Sequence, residues 1–69
     1  MTIKQNLSII IIAHNEEENI GKMIEGLLKH YNDTIGELIV VDDASRDNTA
    51  SIAETWKAKS HKIKLFSRK

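Results

Sequence analysis

Two stretches decide the reading of this chain: Ser8-Ile-Ile-Ile-Ile-Ala-His-Asn-Glu-Glu-Glu-Asn-Ile20 and Leu38-Ile-Val-Val-Asp-Asp-Ala-Ser-Arg-Asp-Asn-Thr49. Each is an apolar run that stops at a polar cluster, and each cluster opens a helical pattern. The run at 7–13 is apolar at every position but Ser8, with four consecutive isoleucines. β-Branched residues apolar on both faces suit a strand of a parallel sheet that is covered on both sides. Two strand-to-helix switches in succession place both polar clusters at one end of such a sheet. That end is where open α/β sheets bind ligands.

Working outward from these stretches gives a β-α-β-α-β order. Ile20, Met23, Ile24, Leu27, Leu28 and Tyr31 recur with the spacing of one helix face. Asn15 is expected to cap that helix, with Glu16, Glu17 and Glu18 in its first turn complementing the helix dipole. Gly21 and Gly26 weaken it by about 1 kcal/mol each relative to alanine. The helix is expected to end near His30. A second strand is predicted over 37–42 and a second helix from Asp47 or Asn48. That helix turns Ala50, Ile52, Ala53 and Trp56 towards the sheet. A third strand is predicted over 62–67, with Ile63 and Leu65 on one face. Crossovers between parallel strands are right-handed in nearly all cases.

Composition narrows the function. Sixty-nine residues form one small domain at most. Without cysteine there is neither a disulfide framework nor a thiolate metal site. The longest apolar run is too short to cross a bilayer, and the N-terminus does not read as a signal peptide, so the cytoplasm is the default expectation. Net charge is zero but uneven: residues 1–54 hold ten acids and four bases, and residues 55–69 hold six bases and no acid. A basic run of this kind serves either as a nucleic-acid or phosphate contact or as a solvated helix end and a lysine-protected strand edge. With only Trp56 and Phe66 interleaved there is no base-stacking platform, so nucleic acid is not the expected partner.

The first cluster, Ala13-His14-Asn15-Glu16, reads either as a helix cap or as a clasp for a nucleotide. It has no Gly-x-Gly-x-x-Gly loop and no P-loop, and its carboxylates would repel a diphosphate. A nucleotide must therefore present its base or ribose there. In the second cluster, Asp42 and Asp43 are adjacent, so their side chains point to opposite faces of a strand. They make a poor metal clamp and a better hydrogen-bond acceptor for a ribose hydroxyl or a base N–H. Ser45 and the aspartates also suit a turn. His30 and His61 are expected in solvent. His14 has no second histidine or cysteine at ligand spacing, so it does not suggest zinc.

Together the two clusters resemble the N-terminal signature of family 2 glycosyltransferases, the nucleotide-sugar enzymes of the GT-A fold. That family reads as an apolar strand, then Pro-Ala-Tyr-Asn-Glu, and later Val-Asp-Asp-Gly-Ser-Thr-Asp-Gly-Thr. Ala13, Asn15 and Glu16 match the first motif, and Val41, Asp42, Asp43, Ser45, Asp47 and Thr49 match the second. Ile12 stands for the proline, His14 for the tyrosine, Ala44 and Asn48 for glycines, and Arg46 for a threonine. The missing glycines suggest a less tight turn.

The resemblance implies a three-stranded, parallel, Rossmann-like βαβαβ sheet, the N-terminal part of a GT-A fold. It implies a single partial domain over residues 1–69 that holds the nucleoside of a UDP- or GDP-sugar through Ala13, His14, Asn15, Glu16, Asp42, Asp43 and Ser45. The family's metal-binding Asp-x-Asp and its catalytic base lie further along than Lys69. No catalytic residue and no cofactor is therefore assigned within the chain. Mg or Mn is expected for the complete enzyme, and the 69 residues alone are expected to be inactive. With strands to one side only, 7–13 becomes an edge, and the alternative reading is a non-catalytic module that forms homo-oligomers through it.

Overall fold

The computed structural model describes residues 7–68. In chain order the elements are β1 (Leu7–Ala13), α1 (Ile20–Tyr31), β2 (Ile35–Asp43), α2 (Thr49–Lys59) and β3 (Ile63–Arg68). All three strands are parallel, in the order β1-β2-β3. β1 therefore lies at an edge. The register pairs Ala13 with Asp42 and Asp42 with Ser67, so the three strands end level with one another. Near the start of β1 the register shifts, Leu7 facing Ile35 and Ser8 facing Glu37, which leaves Gly36 unpaired with β1.

Successive right-handed crossovers in one direction put both helices on the same face of the sheet. The core lies there. It is built from Ile11 and Ala13 of β1, Leu38 and Val40 of β2, and Ile63 of β3, closed by Ile20 and Ile24 of α1 and Ala53 of α2. Gly21 lets the two helices approach: a methyl group there would lie 3.4 Å from Trp56 Nε1 and 3.5 Å from Ile52 Cγ2. Gly26 has open space around it and contributes only helix-weakening flexibility.

The opposite face of the sheet is bare. Ile10 and Ile12 are 62% and 70% exposed and Phe66 is 57% exposed, with Ile39 and Val41 of β2 between them in the register. The expectation that β1 is covered on both faces is therefore corrected: among the described residues it is an edge strand covered on one. Continuous apolar sequence reports what both faces would accept, while coverage depends on what packs there.

The basic run near the C-terminus is largely paired inside the fold. Lys57 approaches Glu54, Lys64 forms an ion pair with Glu37 at 3.0 Å, and Arg68 lies 3.5 Å from Asp43. Lys59 sits 4.7 Å from the centre of the Trp56 ring. Lys62 is buried and donates to the Asn32 carbonyl at 2.5 Å. A cation there complements the C-terminal end of α1 and ties the α2–β3 turn to the α1–β2 turn. Lys69, the last base of the run, lies outside the described residues.

Ile24 and Gly26 separate core packing from helix propensity on one helix. Ile24→Ala is expected to cost about 2–5 kcal/mol through the cavity it leaves. Gly26→Ala is expected to gain about 1 kcal/mol from propensity alone. Urea denaturation midpoints for both variants check the pair.

Candidate functional site

The strands deliver residues 14–19 and residues 44–48 side by side at the C-terminal end of the sheet. Neither segment is helical, and both turn through left-handed backbone: Asn15 has φ 52° and Ala44 has φ 55°. Asparagine tolerates that region because its short polar side chain bonds locally. Alanine does not, so Ala44 is held there by its surroundings. Its N–H donates to the Arg68 carbonyl at 2.8 Å. Ala44 makes a left-handed turn of the kind that suits glycine.

The two loops satisfy one another. Asn15 N–H donates to Ser45 Oγ at 2.9 Å, Glu16 N–H to Thr49 Oγ1 at 2.8 Å, and Glu17 N–H to Asp47 Oδ2 at 3.2 Å. In return Arg46 N–H donates to Asn15 Oδ1 at 2.8 Å. Asn48 Nδ2 also reaches Glu17 Oε2 at 3.3 Å. Thr49 is fully buried, donates its hydroxyl to Asp47 Oδ1, and takes its own N–H to the same oxygen at 3.0 Å. The Thr49 hydroxyl, with lesser help from backbone N–H groups, holds the Asp47 carboxyl below its ordinary 3.8.

This arrangement corrects the expected start of α1. The helix begins at Ile20 with Asn19 as its N-cap, no side chain bonds the cap, and no acid occupies the first turn. Glu16, Glu17 and Glu18 lie before it, in a turn closed by Asn19 N–H and Ile20 N–H on the Glu16 carbonyl. Asn15 cannot cap because its side-chain oxygen is committed to Arg46 N–H. Side chains of the second loop do for the first what a cap would do. The second loop's side chains therefore occupy the N–H groups of Asn15, Glu16 and Glu17, which precede the helix.

All seven expected residues come together at this end of the sheet. Ala13 is buried beside Asp42, and His14 Nδ1 lies 2.6 Å from the Asp43 carbonyl oxygen. The acidic pair divides as strand alternation requires. Asp42 faces the helices, is 5% exposed, and its Oδ1 has no hydrogen-bond partner among the described residues. Asp43 is on the other face, with a partly exposed carboxylate beside Arg68. Two carboxylates on opposite faces cannot chelate one ion, and among the described residues no cluster of three or more metal-ligating side chains occurs. The residues present do not form a metal site.

Thr49 and Asp47 join the two loops without having been given a role by sequence reasoning. Their Asp-x-Thr spacing at a helix start was the available signal, and it reads equally well as an ordinary cap.

The sequence profile described as glycosyl transferase family 2 matches residues 8–69. The chain belongs to glycosyl transferase family 2. Its βαβαβ sheet is the arrangement of the N-terminal part of a GT-A fold. An uncharacterised protein of Methanocaldococcus jannaschii is 46% identical over 57 residues, covering 83% of this chain and 23% of that protein. The 4,4'-diaponeurosporenoate glycosyltransferase of Staphylococcus haemolyticus is 39% identical over 59 residues, covering 86% of this chain and 15% of the relative. The cholesterol galactosyltransferase of Borreliella burgdorferi is 37% identical over 68 residues, covering 96% and 18%. The chain thus spans under a quarter of the length of each of these relatives.

Two measurements test the loop pair. Ala44→Gly is expected to stabilise the chain by about 1 kcal/mol, since it removes the Cβ penalty of left-handed backbone, and calorimetry reads it. The lowered Asp47 carboxyl sets the acid limit. Its contribution is complete above about pH 3.8 and is lost as pH falls through the lower folded value. The protection of the Glu17 and Thr49 amides, measured against their intrinsic exchange at each pH, is expected to fall there.

Proposed function

We propose that this chain forms the nucleoside-holding part of a family 2 glycosyltransferase, taking the base or ribose of a UDP- or GDP-sugar. The observation that carries this is the Asp43 carboxylate, partly exposed at the end of the central strand and flanked by Arg68 and the His14 loop. It is an acceptor with room for a base N–H or a ribose hydroxyl. Ala13, Asn15, Glu16 and Ser45 shape the wall around it, and Asp42 supports that wall from the buried side. The N–H groups of Asn15, Glu16 and Glu17 are taken by Ser45, Thr49 and Asp47, so they are not donors for the diphosphate.

The transfer itself belongs to the whole protein. In the complete enzyme Mg or Mn would neutralise the leaving diphosphate, using residues other than those described. A base would deprotonate the acceptor hydroxyl as it attacks the anomeric carbon. The names of two relatives carry lipid acceptors, a carotenoid acid and a sterol. That supports a lipid as the acceptor class here.

The test is an NMR titration of the labelled chain with UDP and GDP to millimolar concentration. Residues 13–16 and 41–45 are expected to shift together. Asp43→Asn is expected to weaken binding by about 10–100-fold, the loss of one charge-assisted hydrogen bond. Shifts confined to 57–68 would overturn the reading in favour of nonspecific phosphate attraction. Loss of binding in Asp42→Asn but not Asp43→Asn would reverse the two aspartates' roles.

A second reading is favoured by the edge of β1, which among the described residues pairs only with β2 and carries the exposed Ile10 and Ile12. A strand edge without proline or charge is a template for another chain. On this reading the chain forms homo-oligomers through 7–13, and Ile10→Lys yields monomer. A folded monomer of the unaltered chain at high micromolar concentration, seen by sedimentation, excludes it.

A further inference from the structure

Three hydrogen bonds link the loops in series, and their direction is fixed at both ends. Arg46 N–H can only donate, and it lies 2.8 Å from Asn15 Oδ1. That sets the Asn15 amide, so its Nδ2 faces His14 Nε2 at 3.3 Å as a donor. Nε2 must then accept, which leaves the ring proton on Nδ1. Nδ1 lies 2.6 Å from the Asp43 carbonyl oxygen, which can only accept. Neither terminal group is titratable, and the amide between them cannot flip without setting N–H against N–H at Arg46.

We propose that His14 is a positioning residue, held as the Nδ1–H tautomer, that ties the Asn15 side chain to the backbone of Asp43. Only the further statement that the joined loops hold a nucleoside rests on the function proposed above. Protonating Nε2 would set a donor against Asn15 Nδ2 and release either that bond or the one to Arg46. His14 thereby sits behind Asp43 and sets the position of its backbone, instead of touching the ligand itself.

The charged side chains around this link are Glu16 and Glu17 in its own loop, Asp43, Arg46 and Asp47 from β2 and the second loop, and Arg68 from β3. Asp43 is engaged by Arg68, Asp47 by Thr49 and Glu17 N–H, and Glu17 by Asn48. None of these carboxylates hydrogen-bonds the ring among the described residues; its partners are the Asp43 carbonyl and the Asn15 amide.

Long-range proton–nitrogen NMR of the uniformly labelled chain at pH 8 reads the tautomer directly and needs no nucleotide. His14 is expected to show Nδ1–H, whereas solvated imidazoles favour Nε2–H. On acidification the Arg46 amide and the Asn15 side-chain amide are expected to move in step with the His14 ring. His14→Ala is expected to speed Arg46 amide exchange by about tenfold, the loss of one hydrogen-bonded link. An Nε2–H tautomer at His14, or an Arg46 amide that stays still while the ring titrates, overturns the proposal. If the tautomer and the coupled shifts are found but UDP and GDP do not bind, the nucleoside reading fails and the His14 assignment stands.

Discussion

The structure depends on the mutual satisfaction of two loops. Backbone N–H groups leaving β1 would be orphans at a helix start, each costly if buried unpaired. Ser45, Thr49 and Asp47 take them, while Asn15 returns the favour to Arg46. The bonds cross between segments about thirty residues apart in sequence, so they form only when β1 and β2 are paired in register. Ala13 opposite Asp42 sets that register. Sheet pairing and loop geometry are therefore one cooperative unit. The left-handed turn at Ala44 shows its strength, because alanine would leave that conformation if free to do so.

This constraint also shapes the chemistry available. Free backbone N–H groups attract phosphate; those of Asn15, Glu16 and Glu17 are filled by the neighbouring loop's oxygens. What remains open at this end of the sheet is a carboxylate and polar edge groups, suited to the donors of a base or ribose. The sheet is lopsided to match. One face holds a dry core under α1 and α2, and the other leaves Ile10, Ile12 and Phe66 exposed. Parallel sheets are ordinarily covered on both faces.

Much of this was legible in the sequence, for identifiable reasons. The element order followed from two apolar runs ending in polar clusters, and the helix stripe of Ile20, Ile24 and Leu27 was plain from its spacing. The opposite orientation of Asp42 and Asp43 followed from strand alternation alone. The cap at Asn15 did not hold, since local propensity could not reveal that a distant backbone N–H competes for the same oxygen. The left-handed turn at Ala44 was hidden for the same reason, because side-chain type reports local preference and not the tertiary contacts that impose the turn.

By itself the sequence determined the strand and helix segments, their parallel order, the family to which they belong, and the end of the sheet where polar groups gather. These follow from periodicity and side-chain type, which act over a few residues. Only the tertiary structure decided which aspartate is buried and which is open, that one face of β1 is bare among the described residues, and that His14 points at a backbone carbonyl. Those outcomes depend on contacts between residues remote in sequence, where one hydrogen-bond acceptor is claimed by whichever donor the fold brings nearest.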